Sequence, residues 1–155
     1  LFGYLHIACD QHEIAALAGS DAQRGTNSKA MEETLSKIVN RFKARFKPLL
    51  LKYPTRASAD KNARPDRFVK MVAEHVDKGE PLLWGLELGL HPEEPPLRMQ
   101  GTGGHMRLII GYNTQKNQIL FSDSWGAGHE LKRMTVENAI DSTFGIYLLE
   151  PRDFY

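Results

Sequence analysis

The segment Gly103–Gly126, GGHMRLIIGYNTQKNQILFSDSWG, limits the fold more than any other part of the chain. Residues 106–112 alternate, with Met106, Leu108, Ile110 and Tyr112 on one side, and Gln118–Phe121 resumes an apolar, β-prone run after a polar tract. Two such strands joined by a polar turn make a hairpin. A turn centred near Thr114 sets His105 opposite Asp123, with Cβ atoms roughly 5 Å apart. A slip of one residue would send the two side chains to opposite faces. In that pairing the carboxylate accepts one ring N–H, fixes the tautomer and stabilises the imidazolium. The other ring nitrogen is then left to exchange a proton with a nucleophile.

Ahead of the hairpin the chain reads mainly as helices. Asp10 caps a short helix through Ile14, Ala15 and Leu17, with Glu13 in the first turn and a stop at Gly19. Leu1–Ile7 reads equally as the end of a helix or as an irregular lead-in. After the loop Ser20–Gly25, one of Thr26, Asn27 or Ser28 caps a second helix that carries Met31, Leu35, Ile38 and Val39 to about Asn40. Arg41–Lys47 alternates Phe42, Ala44 and Phe46 with basic residues, which predicts an edge strand with its aromatics turned inward. Because those aromatics face away from the charges, the segment lacks the interleaving that a nucleic-acid surface uses.

Tyr53–Pro65 reads as an exposed loop and Asp66–Lys78 as a third helix, with Phe68, Val72 and Val76 on one stripe, His75 at its surface and Gly79 at its end. Pro81–Leu88 reads as a buried central strand with Trp84 in the core. Gly89–Gly104 is a long proline-containing loop whose His91, Glu93 and Glu94 are expected as rim residues or solvated charges. Beyond the hairpin come a Gly126–Gly128 turn, a strand over His129–Met134, a helix from Thr135 to about Ser142 and a strand over Phe144–Leu149. The expected fold is therefore α+β, with N-terminal helices packed on a mostly antiparallel sheet of about five strands in one domain over residues 1–155.

A chain of 155 residues, 41% hydrophobic, is long enough to bury a substantial core. Its formal net charge of +1 gives no general attraction to nucleic acid or anionic membrane, and it has no apolar run of about 18 residues to span a bilayer. The lone cysteine, Cys9, has no internal disulfide partner. His105, Asp123, His129 and Glu130 are types that suit zinc, but they lack tight ligand spacing, so neither metal nor cofactor is expected.

The hairpin resembles the His and Asn/Asp motifs of papain-like cysteine peptidases. In that superfamily the base starts a strand that ends in Gly-Tyr, here His105 and Gly111-Tyr112, and the orienting residue opens a turn, here Asp123-Ser124-Trp125-Gly126. Asp in place of Asn, together with Gly25-Thr26, is similar to the bacterial branch that includes the double-glycine leader peptidases. The resemblance implies a papain-like fold, a peptide or protein substrate and thiol-dependent hydrolysis, with His105 as base, Asp123 as orienting residue and Trp125 covering their hydrogen bond. Gly104 and Gly126 are supporting positions.

It also implies a nucleophilic thiol at the start of a long helix. Cys9 precedes only a two-turn helix, and by the Gly25-Thr26 alignment the nucleophile is expected upstream of Leu1, with Cys9 as the candidate within the chain. A related acyltransferase would use the same residues, and a non-catalytic peptide-binding module would keep the fold without the chemistry.

Overall fold

The computed structural model describes residues 8–20, 31–54, 64–97 and 102–151. The readings of Leu1–Ile7, of the Gly25-Thr26 turn and of the caps at residues 26–28 fall outside the described residues, as does most of the loop after Tyr53. The elements in order are α1 (Gln11–Leu17), α2 (Met31–Arg41), β1 (Phe46–Leu50), α3 (Arg64–Val76), β2 (Leu82–Leu88), β3 (Gly103–Asn113), β4 (Gln118–Ser122), β5 (Lys132–Thr135), α4 (Val136–Ser142) and β6 (Thr143–Pro151). This is the expected α+β class. The contacts divide into two compact units, Leu1–Leu50 with Leu148–Tyr155, and Leu51–Tyr147.

In the first unit Asp10 caps α1 as its sequence implies, its Oδ1 accepting from the backbone N–H groups of His12 at 2.7 Å and Glu13 at 3.1 Å. The apolar stripe of α2 buries Ile38 and Val39 with Leu149, and Cys9, Ile14, Leu17, Phe42, Ala44 and Phe46 pack around them. The expected strand at Arg41–Lys47 is corrected: Arg41 is the last residue of α2, and β1 starts only at Phe46. Two overlapping bonds close the helix, Ala44 N–H to Val39 O at 2.9 Å and Lys43 N–H to Asn40 O at 3.2 Å, with Lys43 at φ +49°. The inward set survives the correction, because Phe42, Ala44 and Phe46 are half-buried while the basic residues between them are exposed.

In the second unit the strands run in the order β6-β2-β3-β4-β5, and these neighbouring ladders are all antiparallel. β6 continues into the first unit, where β1 is its neighbour, which gives six strands among the described residues where about five were expected. Between β3 and β6, β2 is the buried central strand its apolar run implies. Trp84 on it is fully buried, 5.3 Å from Phe121 edge to face, and its indole N–H donates to Thr143 Oγ1 at 2.7 Å. α3 begins two residues before the expected Asp66, because a proline at 65 suits a first helical turn. It ends through the same bond pattern as α2, here with Gly79 at φ +76°. His75 is not the surface residue expected: its side chain is only 18% exposed, and Nδ1 lies 3.0 Å from Glu80 Oε2.

The hairpin register differs from expectation. Leu108 pairs with Ser122 and Ile109 with Phe121, so the line of the ladder sets Arg107, not His105, opposite Asp123. The turn lies further along than Thr114, between Asn113 and Gln118. A bulge between Ile109 and Gly111 absorbs one residue and leaves Ile110 38% exposed. The apolar side expected along β3, Met106, Leu108 and Ile110, is the more exposed one. The buried side is Arg107 and Ile109, continuous with Leu82, Trp84 and Leu86 on β2, Ile119 and Phe121 on β4, and Lys132 and Met134 on β5. The strand expected over His129–Met134 runs instead over Lys132–Thr135, because His129 is held in the preceding turn by its N–H to Gly126 O at 3.1 Å.

Candidate active site

His105 enters from the start of β3 and Asp123 from the first residue after β4. The two meet with His105 Nε2 2.8 Å from Asp123 Oδ1. An ionised carboxylate can only accept, so the ring proton sits on Nε2, and Nδ1 is the nitrogen with the free lone pair in the neutral ring. Among the described residues no hydrogen bond engages Nδ1. The imidazole is 18% exposed and the carboxylate fully enclosed.

Local bonds hold Asp123 in place from its own turn. Its backbone N–H donates to His129 O at 2.9 Å, and Ser124 N–H donates to its Oδ1 at 2.8 Å. Gly126, at φ +85°, occupies the left-handed region that turns the chain back. That return lays Trp125 beside His105, ring centroids 4.5 Å apart and planes inclined by 40°, with the indole still 39% exposed. Gly104 precedes His105 on β3, and a Cβ there would meet Phe144 at an ordinary 3.5 Å.

The second oxygen of Asp123 belongs to a group that the sequence reading did not identify. Arg107 Nε donates to Oδ2 at 2.7 Å, and its two terminal nitrogens grip Glu93, Nη1 to Oε2 at 2.6 Å and Nη2 to Oε1 at 3.0 Å. Lys132 Nζ closes on Glu93 Oε1 at 2.5 Å and lies 3.5 Å from His129 Nδ1. Glu93 is thus neither a rim residue nor a solvated charge. It is 7% exposed, because the loop that carries it is stitched to β5 by reciprocal backbone bonds between Glu94 and Arg133 at 2.8 and 2.7 Å. The guanidinium of Arg107 also lies over the Phe121 ring at 4.7 Å. Parity with His105, two residues earlier on the same strand, is the signal that could have found Arg107.

Burial alone would push the Asp123 carboxyl up. The hydrogen bond and charge of His105, followed by the charge and hydrogen bond of Arg107, outweigh it and hold the group down at about 2 against an ordinary 3.8. Asp123 is therefore an anion at any physiological pH.

The other residues singled out from sequence lie elsewhere. Cys9 is half-buried in the apolar cluster of the first unit, one position before the cap of α1. His91 faces Asp141 at 3.4 Å and lines a cavity of about 310 Å³ with Leu90, Pro92, Pro96 and Leu97. Glu130 accepts from Gly128 N–H at 2.8 Å. Among the described residues, no three His, Cys, Asp or Glu side chains are grouped to hold a metal ion, and no helix is long and apolar enough to cross a membrane.

No curated protein matches the chain. The model of the Peptidase_C39 like family matches residues 1–146. With that match over nearly the whole chain, the protein belongs to the Peptidase_C39 like family and is a papain-like, cysteine-peptidase-like domain.

Proposed function

We propose that this domain is a cysteine peptidase in which His105 is the proton carrier and Asp123 its orienting partner. The observation that carries the reading is the imidazole pinned at Nε2 by an enclosed carboxylate, which leaves Nδ1 as the nitrogen that faces a reacting group. In the reaction a thiol gives its proton to Nδ1 and the thiolate sulfur bonds the scissile carbonyl carbon. The imidazolium returns that proton to the leaving amine as the C–N bond breaks. His105 then takes a proton from water, which attacks the thioester and frees the acid and the thiol. Trp125 beside the ring shields the His105–Asp123 hydrogen bond from water, where a low local dielectric strengthens it. The carboxylate at 123 and the resemblance to double-glycine leader peptidases favour a peptide whose leader ends in two glycines as substrate.

Thiol alkylation tests the mechanism without a known substrate. The protein with its native N-terminus is treated with iodoacetamide between pH 4 and 9 and the labelled cysteine is located by mass spectrometry. A thiolate paired with His105 reacts well below the ordinary thiol pKa of about 8.5, and His105→Ala abolishes that acid-range reactivity. The label falls on Cys9 or on a thiol outside these 155 residues, and so identifies the nucleophile. Asp10 already supplies an anion to the first N–H groups of α1 beside Cys9, an arrangement that does not favour a thiolate there. Reactivity that rises only as a free thiol does, unchanged in His105→Ala, would refute the peptidase reading in favour of a non-catalytic peptide-binding module.

A further inference from the structure

Four charged side chains form one buried group that reaches His105 through Asp123. Arg107 is 2% exposed, Lys132 0%, Glu93 7% and Asp123 8%. They come from β3, β5, the loop after β2 and the turn after β4, and they form one chain of contacts: Lys132 to Glu93, Glu93 to Arg107, Arg107 to Asp123, Asp123 to His105. Among the described residues, the other titratable group against this cluster is His129, whose Nδ1 lies 3.5 Å from Lys132 Nζ. The partner of His105 across β2 is the apolar Leu86. With His105 neutral, the two cations and two anions of the cluster cancel. Protonating His105 therefore adds an uncompensated positive charge to a buried group.

We infer that Arg107, clamped by Glu93, is the positioning residue that keeps the His105–Asp123 pair a reversible proton carrier. The inference rests on the reading of His105 as base, but its mechanism is electrostatic and geometric. A carboxylate enclosed with an imidazole and no other cation would hold the ring protonated as a fixed ion pair. By taking Oδ2, the Arg107 guanidinium leaves only Oδ1 for the imidazole, which sets ring orientation and tautomer. By supplying a second cation to the same carboxylate, it weakens the hold on the imidazolium, so that the ring can release its proton to a leaving group. Glu93 places Arg107 through a two-bond fork, the geometry for which arginine is suited and lysine is not. Lys132 in turn balances Glu93. Without Arg107, Glu93 and Lys132 still pair, and so do Asp123 and His105, but the cluster is then neutral only when His105 is protonated.

Imidazole ¹⁵N NMR of His105 tests this with neither thiol nor substrate. In the unaltered protein, the neutral ring must carry its proton on Nε2, the nitrogen that faces Asp123 Oδ1. A ring that stays protonated up to pH 10 overturns the inference. Arg107→Met should raise the His105 pKa by about one unit or more, the scale of a nearby like charge removed. Glu93→Gln leaves the cluster one negative charge short and should lower it. Opposite shifts are required, because a general loosening of the site would move both variants toward the free-imidazole value of about 6.5.

If Arg107→Met does not fold, Glu93→Gln and the unaltered protein carry the test. A shift in the same direction in both variants, or within about 0.3 unit of zero in Arg107→Met, refutes the role of Arg107. Acid-range alkylation with these shifts absent refutes only Arg107. The shifts present without acid-range alkylation refute the peptidase reading and leave the network standing.

Discussion

Replacing Asp123 with Asn separates the charge of the orienting residue from its shape. The carboxylate accepts three hydrogen bonds, from His105 Nε2 at 2.8 Å, Ser124 N–H at 2.8 Å and Arg107 Nε at 2.7 Å, and its side chain is fully enclosed. An amide whose oxygen stays at the Oδ1 position keeps the first two. Its NH₂ then points at the Arg107 Nε–H, donor against donor, and a buried guanidinium loses one of its two anionic partners. Removing one member of a buried ion pair costs about 3–5 kcal/mol, and because Arg107 retains Glu93 the lower end applies, about 3 kcal/mol at pH 7.

The cost must also depend on pH. The folded carboxyl takes up its proton only near pH 2, whereas the unfolded one does so near 3.8. Its contribution is therefore complete above pH 5 and lost as pH falls toward 2. Linkage over that interval gives about 2 kcal/mol in total, of which about 1 kcal/mol is gone by pH 3. Urea unfolding of the two proteins at pH 7 and pH 3 reads both quantities. A cost below 0.5 kcal/mol at pH 7, or a gap between the proteins that fails to narrow on acidification, would refute the picture of an ionised carboxylate held by His105 and the Arg107 guanidinium.

Two further substitutions test the frame around the site. Thr143→Val leaves the Trp84 indole N–H, 2.7 Å from the Thr143 hydroxyl, buried with no acceptor, and should cost about 1–3 kcal/mol in urea unfolding; a cost under 0.5 kcal/mol would show that this bond does not matter. Gly126→Ala meets no atom within 4 Å but forces an alanine to φ +85°, so it should cost about 1 kcal/mol of backbone strain and lower the melting temperature by roughly 2–4 °C. An unchanged melting temperature would mean that the turn carrying Trp125 adopts another conformation.

The elements legible in sequence are those whose ends carry a chemical mark. Asp10, Gly19, Gly79 and Thr135 each stand where a cap or a left-handed stop is needed, and the helices begin or end beside them. α2 ends through the same pair of bonds as α3, but with Lys43 in the left-handed position. A lysine carries no signal for that role, so the alternating residues after it read as a strand. The hairpin shows a different kind of partial success. Its turn lies further along than a centre at Thr114, which displaces the ladder at Leu108 by two residues, and the bulge at Ile110 takes up the odd one on the turn side. An even displacement preserves the face on which a side chain lies, so His105 and Asp123 still meet, diagonally instead of directly across.

What the sequence conceals is the polar interior, and the reason is cooperative. Glu93, Arg107 and Lys132 are residue types that, taken singly, belong in water, because burying any one of them alone costs several kcal/mol. Each becomes admissible inside only when the others are already there, and they arrive from three separate segments. Periodicity weighs residues one at a time, so it grouped Met106, Leu108, Ile110 and Tyr112 on one side of β3 and gave no reason to single out Arg107 on the other. The same interdependence gives the site its rigidity. The loop after β2 is fixed to β5 at Glu94, which fixes Glu93, which fixes Arg107, which takes Oδ2 of Asp123 and leaves Oδ1 to His105 in one orientation. Arg133 Nε also donates to Glu94 Oε2 at 2.8 Å outside the buried cluster, so a substitution at either residue would reach His105 through that chain of contacts.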